Sequence, residues 1–118
     1  MRLNRAMIYV TDLSRMTVFY SAILGLKPIS ETRLDTYVEF DAGAATFALH
    51  TIPVSARCER PSQGPRETVP VKLSFEVDDV ASERARLEAL GVTILQRSWG
   101  GIDGVDPEGN VFGIYSGR

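Results

Sequence analysis

Arg5 to Leu26 reads R-A-M-I-Y-V-T-D-L-S-R-M-T-V-F-Y-S-A-I-L-G-L, a strand, a cap, a helix and a stop in one stretch. In the alternating run that begins at Leu3, Ala6, Ile8 and Val10 share one side and Arg5, Met7 and Tyr9 the other. The second side is more polar and is expected to line something wet. Thr11 or Asp12 is placed to cap a helix whose Leu13, Met16, Phe19, Tyr20, Ile23 and Leu24 recur at helical spacing, and Gly25 supplies its left-handed stop. A weaker copy of the stretch returns from Lys72 to Val92.

Outward from this stretch, a second strand is expected from Ile29-Ser30 and a polar turn from Glu31 to Asp35. T-Y-V-E-F then places Val38 and Phe40 toward the helix and Tyr37 and Glu39 opposite. A turn at Asp41-Ala42-Gly43 feeds A-A-T-F-A-L-H-T-I, with Phe47 and Leu49 inward and Ala48 and His50 away. From Pro53 to Pro70 periodicity stops, as in a linker or flap.

The second half repeats the plan. K-L-S-F-E-V sets Leu73, Phe75 and Val77 against Lys72, Ser74 and Glu76. Asp78 or Asp79 caps a helix burying Val80, Leu87 and Leu90, Gly91 ends it, and V-T-I-L follows as a strand. W-G-G-I-D-G-V reads as a glycine-loosened segment, D-P-E-G-N as a turn with Asp103 and Asp106 as turn-formers, and V-F-G-I-Y as the closing strand. Val10 falls on Val77, Asp12 on Asp79, Leu24-Gly25 on Leu90-Gly91, Gly43 on Gly109 and Phe47 on Phe112, so the chain is a tandem pair.

Composition narrows the function classes. The 118 residues suit a single domain 1-118, with module 1 at about 1-52, a linker at 53-70 and module 2 at about 71-118. A net charge of -2 lacks the basic excess that nucleic acid demands, so no nucleic acid is expected as partner. The N-terminal apolar run is too short for a signal or a membrane span, and the expected location is cytoplasmic, with no membrane partner. Cys58, the sole cysteine, permits no internal disulfide and reads as an inert thiol.

Y-V-T-D-L-S-R-M-T-V-F-Y-S-A-I-L-G-L, E-V-D-D-V with A-L-G-V, and D-P-E-G-N-V-F together resemble the vicinal oxygen chelate superfamily of glyoxalases, extradiol dioxygenases and bleomycin and fosfomycin resistance proteins. The resemblance implies an α+β fold: two βαβββ modules forming a curled, cup-like mixed sheet with helices on the convex side, commonly completed as a homodimer. It also implies metal-ligand positions at Arg5, Lys72, Ala48 and Gly113. Guanidinium and ammonium present only donors and positive charge to a cation, and alanine and glycine offer no side-chain lone pair, so no metal and no cofactor are expected.

The alternation leaves Arg5, Met7, Tyr9, Tyr37, Glu39, His50, Lys72, Ser74, Glu76 and Tyr115 for the concave side, with Trp99 near its mouth. Arg5, Tyr9, Tyr37, Glu39, His50, Lys72, Glu76, Trp99 and Tyr115 are the candidate ligand-binding residues, and no catalytic residue is assigned. Arg5 and Lys72 would repel unless glutamates or a bound anion lie between them. Three readings stay open. The leading one is a metal-independent small-molecule binder for resistance or sequestration. A second is a lyase or dioxygenase-type enzyme with a relocated metal or metal-free acid/base chemistry by Glu39, Glu76 or His50. A third is a regulatory module whose pocket is plugged by Arg5-Glu and Lys72-Glu pairs.

Overall fold

A computed structural model describes residues 1–53, 65–67, 69–98 and 100–117. The chain divides into two compact units, Met1–Glu59 and Arg60–Arg118. Cys58 and Trp99 lie outside the described residues.

In the first unit β1 (Arg5–Val10) leads to α1 (Leu13–Val18), β2 (Lys27–Pro28), β3 (Tyr37–Asp41) and β4 (Thr46–Thr51). The sheet order is β1-β4-β3-β2, with β1 parallel to β4 and the other pairs antiparallel. The parallel pair arises because the helix returns the chain to the start of the sheet before the β3–β4 hairpin closes against β1. Asp12 caps α1 by accepting from the Arg15 amide at 3.0 Å. The helix then widens into a π turn over Phe19–Ile23, with the Leu24 amide reaching back to the Phe19 carbonyl. Gly25 stops it at φ 87°. Phe19 and Tyr20 are both buried across this turn, and Tyr20 packs on Phe47 (4.8 Å) and Phe40 (6.4 Å).

Two expectations for this unit change. The second strand is Lys27–Pro28, not a run from Ile29, because the Ile29 amide bonds the Glu39 carbonyl and Ser30–Thr32 at once form a 3-10 turn. Glu39, read as an outward residue, is only 4% exposed.

The second unit has β5 (Leu73–Val77), α2 (Val80–Ala89), β6 (Thr93–Gln96), β7 (Ile102–Val105) and β8 (Val111–Ser116) in the order β5-β8-β7-β6, again with one parallel pair. The same positions recur: Asp79 caps α2 through the Ala81 and Ser82 amides, Gly91 stops it at φ 83°, and Phe112 opposes Leu73 as Phe47 opposes Ala6. Each unit is thus a βαβββ module of mixed sheet plus helix, and the fold class is α+β. Among the described residues no helix is long and apolar enough to cross a membrane.

Here too the structure corrects the reading. Leu90 is 51% exposed: it sits at the helix end, where the chain turns, and Val92 is buried instead, its amide bonding the Leu87 carbonyl. Ile102–Val105 is a regular strand rather than a loosened segment, and Asp103 lies inside it. Asp106 does form the turn, accepting from the Glu108 and Asn110 amides. Gly104 is required for close approach, since a Cβ there would stand 2.5 Å from the buried Phe112 ring. Gly104→Ala is therefore expected to cost ~1–3 kcal/mol by overpacking, read as a lowered denaturant midpoint at unchanged m-value.

Candidate functional site

Strand register sorts the open face of the first sheet into rows. Tyr9, His50 and Tyr37 are cross-strand partners, Met7, Ala48 and Glu39 form the next row, and Arg5, Thr46 and Asp41 the third. The first row is an aromatic patch with His50 between Tyr9 (5.6 Å) and Tyr37 (6.2 Å). His50 Nδ1 lies 2.7 Å from the Thr51 carbonyl, which can only accept, so Nδ1–H donates to it and the neutral ring's Nε2 is the acceptor. Arg5 reaches diagonally: its Nε donates to Glu39 at 3.1 Å and its guanidinium lies 5.9 Å from the Tyr37 ring centre.

Glu39 is held ionised. The Thr46 hydroxyl, then the Thr32 hydroxyl and the Arg5 charge, pull its pKa below the usual value against the desolvation of a buried carboxyl. Tyr37 moves the other way, raised by burial first and then by the nearby Glu39 charge. Its hydroxyl is buried and, among the described residues, makes no hydrogen bond of ordinary geometry.

In the second sheet the corresponding rows are Glu76 with Tyr115, and Ser74 with Gly113 and Asp103. Lys72, just before β5, does not pair with Glu76. Its Nζ donates to both Asp103 oxygens at 3.0 Å, and the Asp103 residue is 1% exposed. Arg97 donates to Asp103 at 2.7 Å and to Glu67 at 2.6 Å, and its own pKa is raised, mostly by the Glu67 bond. Glu76 and Tyr115 are exposed. Lys72, Asp103, Arg97 and Glu67 border a cleft of ≈ 200 Å³, completed by Arg66, Val69 and Val111.

Asp103 is the site residue that the chain alone did not disclose, and with it Arg97 and Glu67. The signal was present in the repeat, because Asp103 opposes Gly113 as Glu39 opposes Ala48, and Lys72 stands to Asp103 as Arg5 to Glu39. The structure gathers Arg5, Tyr9, Tyr37, Glu39 and His50 on one face and places Lys72, Glu76 and Tyr115 on the second sheet.

The profile of the glyoxalase-like domain matches residues 5–115, and the chain belongs to that family. Among curated proteins none matches it. The chain is similar to the solved structure of a lactoylglutathione lyase from Agrobacterium tumefaciens (24% identity, TM-score 0.72, 98% of this chain and 93% of the other). It is also similar to an antibiotic-binding protein from a Streptomyces species (19%, 0.71, 98% and 96%). A third is a glyoxalase/bleomycin resistance protein/dioxygenase family enzyme from Burkholderia phytofirmans (21%, 0.72, 94% of each). At these identities the likeness is one of fold.

The donor chemistry at the positions where the family's metal is expected does not fit a cation. Arg5 and Lys72 are themselves cations, and each is engaged by the neighbouring carboxylate, Glu39 or Asp103. A Cβ at Gly113 would lie 2.7 Å from Ser74 Oγ and 3.4 Å from both Asp103 Oδ1 and Lys72 Cε, so the place of a ligand side chain is taken. Among the described residues no group of three His, Cys, Asp or Glu side chains is placed to hold a metal ion.

The lowered Glu39 pKa fixes a pH dependence. A depressed folded-state value contributes stability above the unfolded-state pKa, and that contribution is lost as pH falls through the folded value. Glu39→Gln is expected to cost ~1 kcal/mol at neutral pH, discounted because Arg5 is half-exposed, with the deficit closing as the pH falls below about 4. Urea titrations of both proteins at neutral and acid pH check it.

Proposed function

We propose that this glyoxalase-like protein is a metal-independent binder of small molecules, in the manner of a resistance or sequestration protein. The observation that carries the reading is the ion pair in each module, Arg5–Glu39 at 3.1 Å and Lys72–Asp103 at 3.0 Å, where a metal-dependent relative would need lone pairs. The bound molecule meets the Tyr9, His50 and Tyr37 patch through ring contacts and is oriented by Arg5 and Glu39. Lys72, Glu76 and Tyr115 on the second sheet, and Trp99, are further contacts of the proposal. Homodimeric assembly and a cytoplasmic location belong to it as well, the first checked by molar mass in solution.

A metal-free enzyme is the second reading, favoured by the defined acceptor on His50 Nε2 within the aromatic patch. Glu39 is a poor base for such chemistry, since hydrogen bonds and Arg5 hold it ionised well below neutral pH.

Thermal shift against aromatic antibiotics and small organic anions tests binding. A ligand at a hundredfold excess over its Kd adds about 2.7 kcal/mol, which raises the melting point by roughly 10 °C in a domain of this size. Tyr9→Ala is expected to remove most of an aromatic ligand's shift while lowering the free protein's melting point by only a few degrees, because Tyr9 is 52% exposed. A flat response to both sets removes the proposal. Stoichiometric zinc, nickel, manganese or iron in protein purified without chelator would also overturn it.

A further inference from the structure

The cleft of the second unit carries an unbalanced charge. Its walls hold the cations Arg66, Lys72 and Arg97 against the carboxylates Glu67 and Asp103. Asp103 is committed, buried and bonded to both Lys72 and Arg97. Arg66 donates from Nη2 to the Asn110 side-chain carbonyl, a neutral partner, and among the described residues no carboxylate pairs with it. One positive charge is therefore left over at a cleft whose volume of ≈ 200 Å³ accommodates a molecule of several heavy atoms, a single water occupying ~30 Å³.

The chain also displays the kind of group that the cleft accepts. Glu67 sets its carboxylate on Arg97 Nη2 at 2.6 Å, yet its side chain is 48% exposed, so this contact is weak and easily exchanged. A guanidinium that already takes one carboxylate edge from Asp103 and another from Glu67 is matched to planar oxyanions. Val69 and Val111 add an apolar wall beside the charges.

We propose that this cleft binds a small carboxylate with a short apolar body, its charge held by Arg66 and Arg97 and its body against Val69 and Val111, in competition with the chain's own Glu67. The inference rests on the small-molecule-binding reading and names the chemical class that one of its sites takes. Glu67 is then an internal stand-in for the ligand, and removing its charge tightens binding instead of weakening it. That sign separates the proposal from a purely structural ion-pair network.

The test is calorimetric titration of the full chain with benzoate and with benzyl alcohol, a neutral molecule of similar shape. Benzoate is expected to bind and benzyl alcohol to bind at least ~10-fold more weakly, with the benzoate affinity falling as sodium chloride is raised. Glu67→Gln is expected to strengthen benzoate binding ~10-fold and Arg66→Gln to weaken it by a similar factor, while Arg66→Lys retains most of it. Melting points of the free variants accompany the titrations, and neither position is in the sheet core, so unchanged values show that the fold is intact. An affinity unaltered by Arg66→Gln, a weaker Glu67→Gln, or equal binding of benzyl alcohol overturns the carboxylate site. Inorganic phosphate binding as tightly as benzoate does the same. If benzoate fails while a neutral aromatic ligand still raises the melting point, the carboxylate site is lost and the binding reading survives. If nothing binds, both are lost.

Discussion

A carboxylate buried in a sheet must be given a cation, and both modules are built around meeting that demand. Glu39 on β3 and Asp103 on β7 are among the few buried charged groups, and taking such a group out of water costs several kcal/mol unless its oxygens are occupied. The compensating charge comes from the start of the first strand, so Arg5 and Lys72 must reach across the strand that lies between. That reach explains the middle residue. In the second module a Cβ at Gly113 would press on Ser74, Asp103 and the Lys72 stem, and in the first the corresponding position is the fully buried Ala48. Cation, acid and small residue are one device.

The two copies have then diverged in what surrounds the pair. On the first sheet Tyr9, Tyr37 and His50 give a surface suited to flat apolar rings, with Arg5 already close to Tyr37. On the second, Glu76 and Tyr115 are exposed while Arg97 bridges Asp103 and Glu67, and Arg66 lines the same cleft. One face presents aromatic rings and the other charge.

The fold was legible because its signals are local and repeated. Asp12 and Asp79 cap, Gly25 and Gly91 stop, and strand alternation sends Phe40, Phe47 and Phe112 inward. Misreadings fell where tertiary pairing decides. Ile29 looks like a strand start, but its amide is spent on Glu39 and the chain turns. Leu90 fits the helical stripe, yet the helix ends beneath it and Val92 takes the buried place. The glycines around Asp103 disguised a strand, since Gly100 and Gly101 suggest looseness while Gly104 is there to let Phe112 close in. One pair of the charge device was visible as Arg5 and Glu39, and Lys72 of the other. Its acid was missed because an aspartate between glycines reads as a turn unless the repeat is followed strand by strand.

Strand periodicity also explains why family membership leaves the chemistry open. Strand residues that build each core, such as Val38, Phe40, Phe47 and Leu49 in the first module, point to the helix side, where Met16 and Tyr20 meet them, and the open-face residues alternate with them on the other. Substitution at the exposed positions of the open face costs the core little, so the fold does not dictate which groups stand there. Glu39 and Asp103 are exceptions among the charged residues, open-face groups that are nevertheless buried. Through them the site and the sheet are coupled: restoring a metal-binding side chain at Gly113 would require Ser74 to move and the Lys72–Asp103 bridge to open, leaving a buried carboxylate with Arg97 as its remaining cation among the described residues. A metal-binding side chain at that position of the second module therefore demands several simultaneous changes around the ion pair.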